Sequence, residues 1–469
     1  MTFSTRMPRK LASVSVFALL LAGAALSPFG ASRVLALDAP PVAVALTSRH
    51  VAVSWVTSLQ KLVQVEYSQF PFSGPDQQGS VFPTPSFSPS GYTRVSSLTH
   101  DLCVADLKPD TLYFVRARTV GGRKGKPSVS EAVTVRTLPA PVPPPASEFT
   151  SPGWIGLYAT DQWMTNKTIR ANLMAAPYAH GAAVGTAWSD IEPAPGELNF
   201  SSIDQALSVL EIGAKYVKLA LRGTSNINGK RIPDWVPDGV ETVLTKDAEE
   251  RSVKWDPTFS CRWWQFVAAY GRRYDERVRG RLGFVNVSGV GSAEMATVKK
   301  TLDAYRSLGY TDQQIEANFL WAWRNTLQVF AEAFPHARLS VVPGSIPLAE
   351  QKDLGSAIVK AAVDTYGGRL VLAHSGFSLV KDGFIINTLL LNRDRAWIGG
   401  MTELPPADAP DPVAVLRPLF DQVVFPDGFD FVTLHADALG IDPNRWGDLR
   451  ELKDYLDSVE AQFAPFRAP

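Results

Sequence analysis

The chain has 469 residues, long for one ordinary domain, and its 45% apolar and 20% charged content supplies a normal globular core. Its 46 basic and 46 acidic residues cancel, which argues against nucleic acid or an anionic membrane surface as the main partner. Neutral ligands stay open, and twelve tryptophans suit a carbohydrate surface.

Residues 1–36 have the layout of a secretory signal peptide. Arg6, Arg9 and Lys10 form a basic start, residues 11–26 form a short apolar run, and Val34-Leu35-Ala36 offers a small-residue cleavage site, with Ala24-Ala25 as a rival. The run is short of the roughly 20 apolar residues that span a bilayer. The expectation is a secreted or periplasmic protein with no membrane attachment after cleavage. Cys103 and Cys261 are the chain's two cysteines and fall in different predicted domains. They read as two buried, unpaired thiols, although export permits a disulfide. With no Cys/His cluster, no metal site is predicted, and no cofactor motif stands out.

Residues 38–138 read as short alternating strands separated by turns. Val51, Val53 and Trp55 share one face, and further strand-like runs occur at 62–67, 111–119 and 132–137. About seven such runs in ~100 residues predict a β-sandwich. Within it, the phrase from Leu107 through Tyr113 to Arg118, preceded by Trp55, resembles a fibronectin type III domain. That resemblance implies Tyr113 as the corner tyrosine and Trp55 as the core tryptophan, and it implies a fold without a chemistry. The basic stretch 121–126 lacks phosphate-loop spacing and reads as a hairpin turn. Residues 139–149 are a proline-rich linker, semi-rigid and extended, which predicts few contacts between the modules on either side.

In residues 150–465 apolar strand-like runs alternate with helical patterns. The strand candidates are 154–160, 182–188, 215–222, 282–288, 339–343, 370–374, 397–401 and 431–435. Eight strands in ~315 residues predict a (β/α)8 barrel, with its chemistry at the C-terminal strand ends. Between them, Trp263, Phe266, Val267, Tyr270 and Tyr274 make one helix face, Thr311 with Gln314 makes a capping box, and Ser201 with Asp204 opens a further helix. The glycines at 289 and 291 lack the third glycine and acidic partner of a dinucleotide site.

The strand ends carry the candidate residues. Asp161, Gln162 and Trp163 follow the first strand, and Trp188, Asp190 and Glu192 the second. Arg222 ends the third, and the loop after it brings Trp235, Trp255 and Asp256. Glu294 follows the fourth strand, His374 ends the sixth, Glu403 follows the seventh, and His435 ends the eighth. Three phrases, residues 187–204, Ile232-Pro233-Asp234-Trp235-Val236 and Lys254-Trp255-Asp256-Pro257, resemble clan-A glycoside hydrolases, especially the β-galactosidase-like (family 42-like) barrels. The resemblance implies Glu294 as acid/base and Glu403 as nucleophile. It departs from the clan at Ala293, where asparagine usually stands, and at His435, where an aromatic is common.

The implied reaction is retaining hydrolysis of β-glycosidic bonds in an oligo- or polysaccharide, with one carboxyl protonated and one ionised. Trp188, Asp190, Arg222, Trp235, Trp255, His374 and His435 are the expected substrate-binding residues, Trp446 being a further stacking candidate. Two alternatives stand beside this reading. One is a catalytically inactive barrel that binds carbohydrate, and the other is a different barrel enzyme, such as a lyase or an inverting hydrolase using Asp190 or Asp256.

Overall fold

The computed structural model describes residues 40–83, 92–120, 128–142, 158–159, 167–175, 181–223, 232–244, 250–277, 282–289, 301–342, 353–377, 383–402 and 430–433, with a few single positions beside them. Among these, no helix is long and apolar enough to cross a membrane.

The N-terminal part is all-antiparallel. Its strands are β1 (Val42–Ala45), β2 (Val51–Ser68), β3 (Ser80–Phe82), β4 (Ser97–Val104), β5 (Leu112–Val120), β6 (Ser128–Val129) and β7 (Val133–Arg136). The long strand β2 belongs to two layers. Residues 51–56 pair with β1 and β4, the register shifts before Lys61, and residues 62–68 pair with β5, next to β3. Val51, Val53, Trp55, Val63 and Val65 are buried along it, in the alternation a half-covered strand requires. The Tyr113 hydroxyl accepts from the Lys108 amide at 3.0 Å and ties the corner before β5 to that strand.

The second part is a closed barrel. In barrel order its strands are β8 (Tyr158–Ala159), β9 (Gly181–Ala187), β10 (Tyr216–Arg222), β13 (Leu282–Asn286), β14 (Arg338–Val341), β15 (Leu370–Phe377), β16 (Trp397–Thr402) and β17 (Phe431–Thr433), all parallel, with β17 closing on β8. Each lies within one of the eight predicted runs or overlaps it. A small hairpin of β11 (Thr242–Leu244) and β12 (Glu250–Ser252) sits between the third and fourth barrel strands. The helices with both ends described are α1 (Lys167–Ala175), α2 (Trp188–Ile191), α3 (Ser201–Ile212), α4 (Pro257–Tyr274), α5 (Asp312–Ala333), α6 (Leu354–Tyr366) and α7 (Gly383–Leu390), and residues 301–307 are helical as well.

The outward positions Val184, Val217, Leu219, Leu221, Val285, Leu339, Val341, Leu370, Leu372 and Ile398 join one large core with α4 and α5. The inward positions Phe284, Val371 and Ala373 form a separate cluster, packed by Tyr216, Val342 and Trp397. Period-two alternation thus divides the strand residues between a helix layer and the barrel lumen. The capping box at Thr311 and Gln314 starts α5 as expected. Asp204 departs from its expected capping role. It pairs with Arg273 and Arg277, at 2.5 and 2.7 Å, while Phe200 occupies the cap position of α3.

The two parts are fastened to each other, which corrects the expectation of loosely linked modules. Cys103 on β4 and Cys261 on α4 form a disulfide across a sequence separation of 158, so the expected free thiols are paired. Beside it, Arg262 Nε reaches Asp101 Oδ2 at 2.9 Å, and the Ser97 and Thr99 hydroxyls donate to Asp238 at 2.8 and 2.7 Å. Ser48 donates twice to Glu332, the buried His50 ring meets Asn325 Oδ1 at 2.9 Å, and Phe82 stacks on Trp321. The proline linker therefore spans two surfaces already joined by a covalent bond and a partly buried polar network.

Two outcomes follow from this interface. Changing Cys103 and Cys261 together to alanine removes a cross-link over a long loop and should lower unfolding free energy by about 4 kcal/mol, read by denaturant titration. Stability equal to the parent, or two free thiols in the parent, would show that the link does not form. The second concerns pH. Burial pushes His50 and His100 down from 6.5 to about 4, so the unfolded chain binds more protons between those values. Their contribution is full above pH 6.5 and is lost as pH falls toward 4. Buried Asp256, pushed up from 3.8 to about 7, acts in the opposite sense over much of that window. The test is therefore a difference: between pH 7 and 4, His50→Gln should lose stability less steeply than the parent, by up to about 3 kcal/mol. Parallel curves would refute the assignment.

Candidate active site at the barrel mouth

The described part of the C-terminal mouth is built on β9, β10 and β13. In its upper half, outward residues such as Leu219, Leu221 and Val287 are buried, whereas the inward Gly185, Ala187, Lys218, Arg222, Asn286 and Ser288 keep partial exposure. Solvent therefore enters the lumen from that end. Along β9 the inward residues are Gly181, Ala183, Gly185 and Ala187, and on β10 Ala220 sits between Lys218 and Arg222. Bulky branched residues normally fill a barrel of this size. Here small ones leave a shaft, and its floor is the cluster of Phe284, Val371 and Ala373 with Trp397.

Trp263 of α4 holds the rim. Its indole Nε1 donates to the Ser288 carbonyl at 2.8 Å, and the Ser288 hydroxyl donates to the Leu221 carbonyl at 2.6 Å. This ties the exit of β13 to the exit of β10. Gly289 has φ of 93°, a conformation that side chains rarely adopt, and a Cβ there would overlap the Trp263 ring. A Cβ at Gly223, just past β10, would overlap the same ring. The glycines let both chain exits pass directly over the tryptophan. In sequence, the β13 exit is followed by Glu294.

The predicted site residues divide into three groups. Glu294, Glu403, His435 and Trp446 lie outside the described residues. His374 lies on β15, with its side chain outside them. Arg222 ends β10 at the mouth, and Asp190 is exposed on α2. Trp188 and Trp255 are corrections to the expected sugar contacts, because both are core residues. Trp188 is enclosed by Trp263, Phe266, Phe259 and Trp235, and its Nε1 donates to Glu192 Oε2 at 2.7 Å. Trp255 is enclosed by Tyr305, Tyr310 and Phe319. Trp235 is half-buried, donates to the Glu192 carbonyl at 3.1 Å, and has the Arg262 guanidinium 5.6 Å from its ring centroid.

Two acids named or flanking in the sequence phrases also have structural work. Glu192 accepts from Trp188 and from the Gly196 amide at 2.7 Å, which closes the turn between β9 and α3. Burial raises its pKa and those bonds lower it. Asp256 caps α4 by accepting from the Phe259 amide at 2.9 Å and also accepts from the Glu241 amide at 3.1 Å. With those roles it is a scaffold residue rather than the base of an inverting reaction. Among the described residues one His/Asp/Glu group has metal-like spacing, Asp275, Glu276 and His336. It follows α4 and precedes β14, on the opposite face from the mouth, and His336 Nδ1 is already bonded to Asp275 at 2.5 Å.

Lys218, Asn286 and Ser340 are polar residues at inward strand positions that the sequence reading passed over. The available signal was a polar residue at an inward position between apolar neighbours, in Tyr216–Arg222, Leu282–Asn286 and Arg338–Val341.

No protein-family model and no curated protein matches the chain. Among solved structures it is similar to the catalytic domain of a β-amylase from Paenibacillus polymyxa, at 10% identity and TM-score 0.43, over 65% of this chain and 99% of that one. It is also similar to a β-galactosidase from the psychrophilic Marinomonas ef1, at 13% identity and TM-score 0.44, over 66% of this chain and 60% of that one. The barrel assignment rests on the strand order above.

Gly289→Ala should destabilise the protein by about 2 kcal/mol or more, from the left-handed backbone and the overlap with Trp263 together. Trp263→Ala should cost about 3–5 kcal/mol as a buried aromatic truncation. Denaturant unfolding reads both, and a Gly289→Ala protein as stable as the parent would contradict the described turn.

Proposed function

We propose that this protein is an exported retaining β-glycosidase in which Glu294 is the acid/base and Glu403 the nucleophile. The observation that carries the reading is the strand order. Glu403 is the residue after β16, the seventh barrel strand, and Glu294 comes shortly after β13, the fourth. Carboxylates leaving the fourth and seventh strands start on opposite sides of one mouth, where barrel enzymes carry out their chemistry.

Double displacement needs the two carboxyl groups roughly 5–5.5 Å apart. Glu294 protonates the departing oxygen while Glu403 attacks the anomeric carbon. Glu294 then deprotonates the water that releases the sugar. Arg222, at the end of β10, supplies positive charge on the same rim, which favours an ionised nucleophile. Pro405 and Pro406 disfavour a helix starting just after Glu403, which argues against a mere capping role. Export is supported by the basic and apolar layout of residues 1–36 and by the Cys103–Cys261 disulfide, a bond at home in oxidising compartments. Residues 38–138 we read as a fibronectin type III sandwich that walls one side of the barrel.

Ala293, in place of the clan's usual asparagine, favours one second reading, a barrel that binds saccharide without cleaving it. One experiment separates them. A 2-deoxy-2-fluoro β-glycoside with an activated leaving group should leave an ester on Glu403, located by peptide mass mapping. Glu294→Ala should slow substrates with poor leaving groups far more than activated aryl glycosides, with azide restoring part of the rate. Saccharide binding with neither ester nor turnover would establish the second reading instead.

A further inference from the structure

The eight barrel strands carry three permanent or near-permanent cations, Lys218, Arg222 and Arg338, and no aspartate or glutamate. Arg338 lies in the floor, with its guanidinium 3.9 Å from the Trp397 ring centroid. Lys218 is different. It points into the shaft, its ammonium 5.3 Å from the Phe284 ring centroid, and among the described residues no hydrogen bond or ion pair meets it.

Register shows what stands around it. Cα pairing runs from Lys218 to Phe284 and from Phe284 to Arg338. In a closed eight-stranded barrel that path descends about one residue per strand, so Ser340 is level with Lys218 and Asn286 lies just above. Ser340 Oγ and Asn286 Oδ1 are both buried and without a hydrogen-bond partner. Tyr216, Phe284, Val371 and Trp397 lie below this level, and the small residues Ala183, Gly185, Ala220 and Ala373 lie above it. Among the described residues, one shaft thus ends on an unneutralised amine, an unpartnered hydroxyl and an unpartnered amide oxygen.

A partly buried cation with no counter-ion among the described residues is costly, and a neutral hydroxyl cannot cancel its charge, whereas a carboxylate can. We propose that the shaft receives the carboxylate of an acidic sugar, a uronate unit, with Lys218 as its counter-ion. The Ser340 hydroxyl donates to the same carboxylate, and Asn286 Oδ1 accepts from a ring hydroxyl. The proposal rests on the glycosidase reading and narrows it to acidic saccharides. Burial holds the Lys218 pKa down at about 8, and an anion beside it would raise that value. Among the described residues the other charged groups at inward strand positions are Arg222 above and Arg338 below, both cations, so neither supplies the missing charge.

The test uses the full chain and calorimetry, so it reads binding whether or not turnover occurs. The ligands are methyl β-D-glucuronide and methyl β-D-galacturonide against the matching glucoside and galactoside. At least one uronide should bind at least about tenfold more tightly than its neutral partner. Lys218→Met should remove that preference. Equal affinities, no binding of either uronide, or a preference that survives Lys218→Met overturns the proposal. Should Lys218→Met not fold, the parent still decides. Its uronide affinity should weaken as pH rises past about 8 while the neutral affinity stays flat, and a uronide affinity independent of pH to 9.5 overturns it. Uronide binding without cleavage of any glycoside would sink the hydrolase reading alone.

Discussion

Four consecutive residues of α4, Cys261, Arg262, Trp263 and Trp264, make one helical turn through which the two halves of the molecule meet. Cys261 is bonded to β4, and Arg262 pairs with Asp101 while donating to the Val236 and Asp238 carbonyls at 2.6 Å. Trp263 supports the exits of β10 and β13. Trp264 donates to Thr326 of α5 at 2.9 Å and meets the His50 ring edge-on. A helix presents successive side chains about 100° apart, so four in a row point in four directions. All four directions are occupied here, which is why the turn is buried throughout. The rim of the candidate site and the N-terminal sheets are therefore braced by the same short segment.

That arrangement explains how a barrel with a hollow upper half can stay ordered. Small residues on β9 and β10 forgo the packing that usually fills the lumen. Support comes from outside the strands, where Trp188, Trp263, Phe266 and Phe259 form an aromatic layer. Trp188, which looked available to a sugar, is part of that layer, and Trp255 packs in a second aromatic group with Tyr305, Tyr310 and Phe319.

Much of the fold was legible because parallel strands buried on both faces leave continuous apolar runs with recognisable breaks. All eight barrel strands could be located that way, as could the Thr311 capping box. The disulfide was not legible, since pairing across a sequence separation of 158 depends on docking that local pattern does not encode. The roles of Trp188 and Trp255 were hidden for another reason. An aromatic next to a strand end has the same composition whether it faces a ligand or packs inward, and only burial separates the two. Lys218 was missed because a single lysine within Tyr216–Arg222 reads as a small defect in an apolar run. Its meaning depends on inward orientation and on the lack of an acidic neighbour among the described residues, and both belong to the closed barrel.

The account holds that the chain exits after β13 and β16 act on one anomeric carbon from opposite sides, through a covalent intermediate. Proton NMR of a cleavage reaction in its first minutes, before the released sugar mutarotates, observes this directly. The expected result is a β-anomer released first from a β-glycoside, because two inversions restore the starting configuration. An α-anomer appearing first would mean a single displacement with water as the attacking group, and the role given to Glu403 would be wrong.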